Sequence, residues 1–71
     1  MKEGTAVSFN PRALRAAAAA VGDNTVVSIA ARLALPYSTV RRWTSSSAQP
    51  TGEALATIER TYGVTPAQLF P

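Results

Sequence analysis

Residues 25–44, TVVSIAARLALPYSTVRRWT, decide the fold. Thr25 is a good helix N-cap, because its hydroxyl can accept a hydrogen bond from a first-turn N–H. Val26, Ile29, Ala30 and Leu33 follow at spacings of 3, 1 and 3, which places them on one helical face. Pro36 disfavours helical geometry at the residue before it, Leu35. A helix is therefore predicted over Val26–Leu33, broken at Ala34-Leu35-Pro36. A second helix is predicted over Tyr37–Thr44. Successive helical residues are about 100° apart. Tyr37, Ser38, Arg41, Arg42 and Ser45 then share one polar face, and Val40 and Trp43 turn inward.

The flanks supply the partners for those inward faces. Before the pair, Asn10 is an N-cap and Pro11 suits the first helical position, where its missing N–H costs nothing. Phe9 can pack on Leu14 as a hydrophobic staple. This first helix is predicted over residues 11–21, with Leu14, Ala17, Ala18 and Val21 on one stripe and Gly22 as its left-handed stop. Residues 1–8 have no period and read as a flexible N-terminal arm. After the pair, residues 45–50 form a polar loop closed by Pro50. Thr51 is the expected cap of a fourth helix, with Glu53 favourable to its dipole and Leu55, Ile58 and Tyr62 inward. Gly63 ends it. Thr65-Pro66-Ala67-Gln68 is a capping box with Pro at the first helical position, and Val64 and Leu69 form a second staple. A brief fifth helix is predicted to end at Phe70. The fold expected is all-α: a compact five-helix domain over residues 9–71.

Composition narrows the chemistry. Seventy-one residues make one domain, too small to be more than marginally stable without help. There is no cysteine and no histidine. Disulfides, the usual zinc ligands and the usual general base are thereby excluded. Glu53 and Glu59 sit on an ordinary helix and do not form a catalytic pair. No enzymatic activity, metal, cofactor or small-molecule substrate is expected. No stretch approaches the roughly 20 apolar residues of a membrane span, and residues 1–9 do not look like a secretory leader, so no membrane partner and a cytoplasmic location are expected. Seven Lys and Arg against four Asp and Glu give +3 and a pI of about 10.2. Six of the seven basic residues are arginine, whose planar fork suits phosphate and guanine.

The second helix of the pair matches that partner. An eight-residue helix is about 12 Å long and as wide as the major groove of DNA. Arg41 and Arg42 on its exposed side can reach a guanine edge and a phosphate. Ser38 and Thr39, near its positive end, can donate to phosphate or base atoms. Taken alone, such a face also describes a solvated helix surface. Trp43 reads as a core residue. Tyr37 stays open between a packing lid and a base contact. The serine run reads either as a plain flexible loop or as a phosphate contact through its N–H groups and hydroxyls.

From Thr25 to Phe70 the chain resembles the phage-repressor type of helix-turn-helix domain, the Cro-like and Xre-like group. The first motif is Ile29-Ala30, Leu33, the turn at Ala34, Ser38-Thr39-Val40 and Arg41-Arg42-Trp43. The second is Pro50-Thr51, Leu55, Ile58, Tyr62-Gly63-Val64-Thr65 and Leu69-Phe70, similar to the family's fourth and fifth helices. The resemblance implies a lambda-repressor-like fold and a sequence-specific regulator of transcription bound to double-stranded DNA. It implies that Tyr37, Ser38 and Arg42 face base edges, and that Arg41 and Thr39 contact base or phosphate. Tyr37, Ser38, Arg41 and Arg42 are the expected base readers. Thr25, Val26, Thr39, Ser45, Ser46 and Ser47 are expected at the sugar-phosphate backbone. Such proteins pair on two half-sites about one helical turn apart, so a monomer or weak dimer that becomes a homodimer on a palindromic operator is expected, whether as a small Cro-like protein or as the DNA-binding part of a longer repressor.

Three positions depart from the family pattern. Ala34 stands where Gly is usual, Pro36 stands where Ser or Thr usually caps, and the loop after Trp43 is Thr44-Ser45-Ser46-Ser47 instead of acidic, Gly and basic residues. Two other readings remain: an excisionase-like architectural factor, which the run from Leu35 to Trp43 also resembles and which needs a β-wing after the helix, and a protein-interaction module that kept the fold.

Overall fold

The computed structural model of the chain describes residues 9–70. Those residues are all-helical, with α1 at Pro11–Ala19, α2 at Val26–Leu33, α3 at Tyr37–Thr44, α4 at Glu53–Tyr62 and α5 at Pro66–Leu69. No helix among them is long and apolar enough to cross a membrane. The arm expected at residues 1–8 lies outside the described residues.

The sequence stops and starts its helices mostly as its caps dictate. Asn10 Oδ1 accepts from Arg12 N–H at 3.0 Å. The α-helical part of α1 ends at Ala19, two residues earlier than predicted. A tighter turn follows, with Val21 N–H donating to Ala18 O at 3.1 Å. That turn carries Val21 off the apolar stripe, and it is 52% exposed instead of buried. Gly22 still provides the stop: at φ 89° its N–H donates to Ala19 O, and Asp23 N–H donates to Ala18 O. These two bonds satisfy carbonyls that the helix end would orphan.

α2 opens with a reciprocal cap. Ser28 N–H donates to Thr25 Oγ1 at 3.1 Å, and Thr25 N–H donates to Ser28 Oγ at 3.2 Å. It closes with the same two-bond stop as α1, through Ala34 N–H to Ala31 O and Leu35 N–H to Ala30 O. Ala34 adopts φ 59°, ψ 41°, the left-handed region. Pro36 follows at φ −60°, ψ 142° and offers α3 no side-chain cap. α4 differs from expectation. It begins after Gly52, not Thr51, and has no side-chain cap. Gly52 takes φ 49°, and the Thr51 contribution is its carbonyl, which accepts from Ala54 N–H at 3.0 Å. α5 has the predicted box, with Gln68 Oε1 accepting from Thr65 N–H at 2.8 Å.

The core gathers one to three side chains from every helix. Leu14 and Ala18 come from α1, Ile29, Ala30 and Leu33 from α2, Val40 and Trp43 from α3, Ile58 from α4, Val64 from the loop after it, and Leu69 from α5. α2 packs on α3 and α4, while α1 packs on α3 and α5. The rings of Phe9 and Phe70 lie 5.8 Å apart between centroids, and Asn10 N–H donates to Leu69 O at 2.7 Å. The start of α1 is thereby tied to α5. With α1 and α2 behind it, α3 has its opposite face open.

A candidate nucleic-acid interface

The open face of α3 follows from its sequence period. Val40 is fully buried and Trp43 is 3% exposed, so both anchor the helix to the core. Tyr37, Ser38, Arg41 and Arg42 are exposed, and Thr39 lies at the edge, half-buried. Tyr37 is 51% exposed, which argues against a packing lid and leaves its ring available for an external contact. Among the described residues the ion pair is Asp23–Arg32. Arg41 and Arg42 therefore keep unneutralised guanidinium groups there. Arg42 and Thr39 also border a groove of about 270 Å³ whose far wall includes Gln49 and Thr51.

The serine run is not a plain loop. Ser45 N–H donates to Arg41 O, Ser46 N–H to Trp43 O, Ser47 N–H to Arg42 O and Ala48 N–H also to Arg42 O, at 2.9 to 3.2 Å. Ser46 reaches φ 64° to close this stop. These backbone N–H groups, one of the two expected routes to a phosphate, are thus engaged by the carbonyls that end α3. The hydroxyls remain on the surface, with Ser45 Oγ bonded to Arg42 O at 3.2 Å and to Ser47 Oγ at 3.1 Å.

At the other edge, Thr25 is exposed and Val26 half-buried. The Thr25 hydroxyl and N–H both serve the α2 cap, so its own polar groups are already engaged. The two residues line a groove of about 390 Å³ together with Asn24 and, from α1, Arg15. Nothing in the helical period singles out Arg15, because its groove partners are ten or so positions away, across the turn at Gly22.

Asp23 is the other residue that sequence reasoning passes over. It is 7% exposed, yet carries a carboxylate. Its Oδ2 accepts from Arg32 Nε and, at 2.8 Å, from the Tyr62 hydroxyl; its Oδ1 accepts from Arg32 Nη2 at 3.3 Å. One side chain thus ties the α1–α2 turn to α2 and α4. The Arg32 hydrogen bond holds the Asp23 carboxyl below its ordinary range, outweighing desolvation. The same bond raises Arg32 further. Burial, with the bond to Asp23, pushes Tyr62 up to about 12. Arg32, although its side chain is 47% exposed, is paired with Asp23, and among the described residues the positive charge of the helix pair that has no acidic partner resides in Arg41 and Arg42. Set against protein families, characterised proteins and solved structures, the chain matches none of them.

Proposed function

We propose that the chain is a sequence-specific double-stranded DNA-binding regulator of transcription, of the lambda-repressor-like, Cro- or Xre-like type, acting in the cytoplasm. The observation that carries this reading is the division of α3 into two faces. Val40 and Trp43 fix it to the core, and the opposite side offers Tyr37, Ser38, Arg41 and Arg42 to solvent. A helix held in this way fits the major groove, with arginine suited to guanine. The left-handed turn at Ala34 between α2 and α3 is also in keeping with a helix-turn-helix. Thr25 and Val26 would lie along one strand, and Thr39 with the hydroxyls of Ser45, Ser46 and Ser47 along the other. Two copies would occupy a palindromic site with half-sites about one helical turn apart.

The excisionase-like alternative loses its main requirement, since the segment that would form a β-wing is α4. The test is a salt titration of binding to a random-sequence duplex. Several phosphate contacts make log K fall linearly and steeply with log salt. A flat response, or no binding, would overturn the proposal and favour a protein-interaction module.

A further inference from the structure

The groove between α1 and the start of α2 presents a cation with no acidic partner among the described residues. Arg15 lines it beside Asn24, Thr25 and Val26. The acid in that groove, Asp23, is already satisfied, both of its oxygens bonded to Arg32 and one of them to Tyr62 as well. Among the described residues Arg15 forms no ion pair, and it is exposed on α1. The groove therefore sets the exposed Arg15 beside the apolar side chains of Ala19, Val26 and Ile29 and the polar ones of Asn24 and Thr25. A phosphodiester with its deoxyribose has that division of character, an anion joined to an apolar ring. The groove also opens at the first residues of α2, the helix packed on α3.

We infer that Arg15 binds a phosphate of the DNA backbone, making the α1–α2 groove a sequence-independent contact beside α3. This rests on the DNA-binding reading above. The guanidinium supplies the charge-assisted, two-pronged donor that phosphate geometry favours. Such a contact fixes where the protein sits on the duplex and carries no base preference.

The test measures fluorescence anisotropy of a labelled random-sequence duplex across a salt series. The proteins are the wild type, Arg15→Ala, Arg15→Gln and Arg60→Ala. Arg60 lies on α4, bonded to Thr57, so its replacement removes the same charge from a different element. Alanine is a strong helix former, and the glutamine variant keeps most of the side-chain stem should alanine perturb the fold. Both Arg15 variants are expected to weaken binding and to make the log K against log salt slope shallower by about 0.9, one phosphate contact. Arg60→Ala is expected to leave the slope unchanged. Wild-type binding with unaltered slopes in both Arg15 variants would overturn this inference and leave the DNA reading standing. An equal loss in Arg60→Ala would also overturn it, showing bulk charge rather than a contact. No wild-type binding would remove both.

Discussion

At the scale of the residue, Ala34 carries the cost of the turn. A Cβ in the left-handed region crowds the following carbonyl, at about 1 kcal/mol or somewhat more, and Ala34 sits there at φ 59°. Glycine takes the same conformation without that crowding. Ala34→Gly is expected to stabilise the domain by about 1 kcal/mol, read as a higher urea midpoint with an unchanged slope. An unmoved midpoint would mean that the turn is not strained. Arg42 carries a different kind of consequence. If it reads a guanine edge, Arg42→Ala should cost about 1–3 kcal/mol on the preferred duplex and relax the preference at one base pair. Uniform weakening across all sequences would place Arg42 on phosphate instead, as its position on the groove with Gln49 and Thr51 allows.

At the scale of the element, the Asp23–Arg32–Tyr62 cluster links the α1–α2 turn, α2 and α4, and it makes stability depend on pH at both ends. The folded state holds the Asp23 carboxyl below its ordinary 3.8. Its contribution is therefore complete above that value and is lost as the pH falls below it toward the folded pKa. Tyr62 runs the other way. Its hydroxyl ionises near 10 when unfolded and near 12 when folded, so stability declines as the pH rises from 10 to 12. Thermal melts across pH should show both limbs, with Asp23→Asn lacking the acid limb and Tyr62→Phe the alkaline one; limbs that survive these substitutions would assign the dependence to other groups. This cluster was invisible in the sequence, because it joins residues nine and thirty-nine positions apart. Local signals were readable. Thr25 and Pro36 bounded α2 and α3 where the structure places them, and Thr65 to Gln68 announced α5. The start of α4 was not readable, since a glycine at φ 49° has no side chain to advertise a cap. Nor was the wrapped end of α3, because serine seldom takes the left-handed stop that Ser46 takes.

At the scale of the molecule, small size and lack of cross-links make each buried contact count. Five short helices and the loop residue Val64 form a common core of ten buried apolar residues, and the tie between Asn10 and Leu69 brings the two ends of the described chain together. The result is a scaffold that holds α3 by its inner face and leaves the outer one free. The division between faces was legible from the helical period, whereas the two grooves at its edges depend on tertiary packing: Arg15 meets Thr25 and Val26 only after α1 and α2 fold together, and Gln49 and Thr51 meet Arg42 only once the chain has turned back at Ser46. The central claim, that α3 enters the major groove, is tested most directly by following backbone amide NMR signals while a duplex is titrated in. The account predicts that the largest shifts fall on Tyr37, Ser38, Arg41 and Arg42, with smaller ones at Thr25 and Val26. Shifts confined to α4 and α5, or none at any duplex concentration, would contradict it.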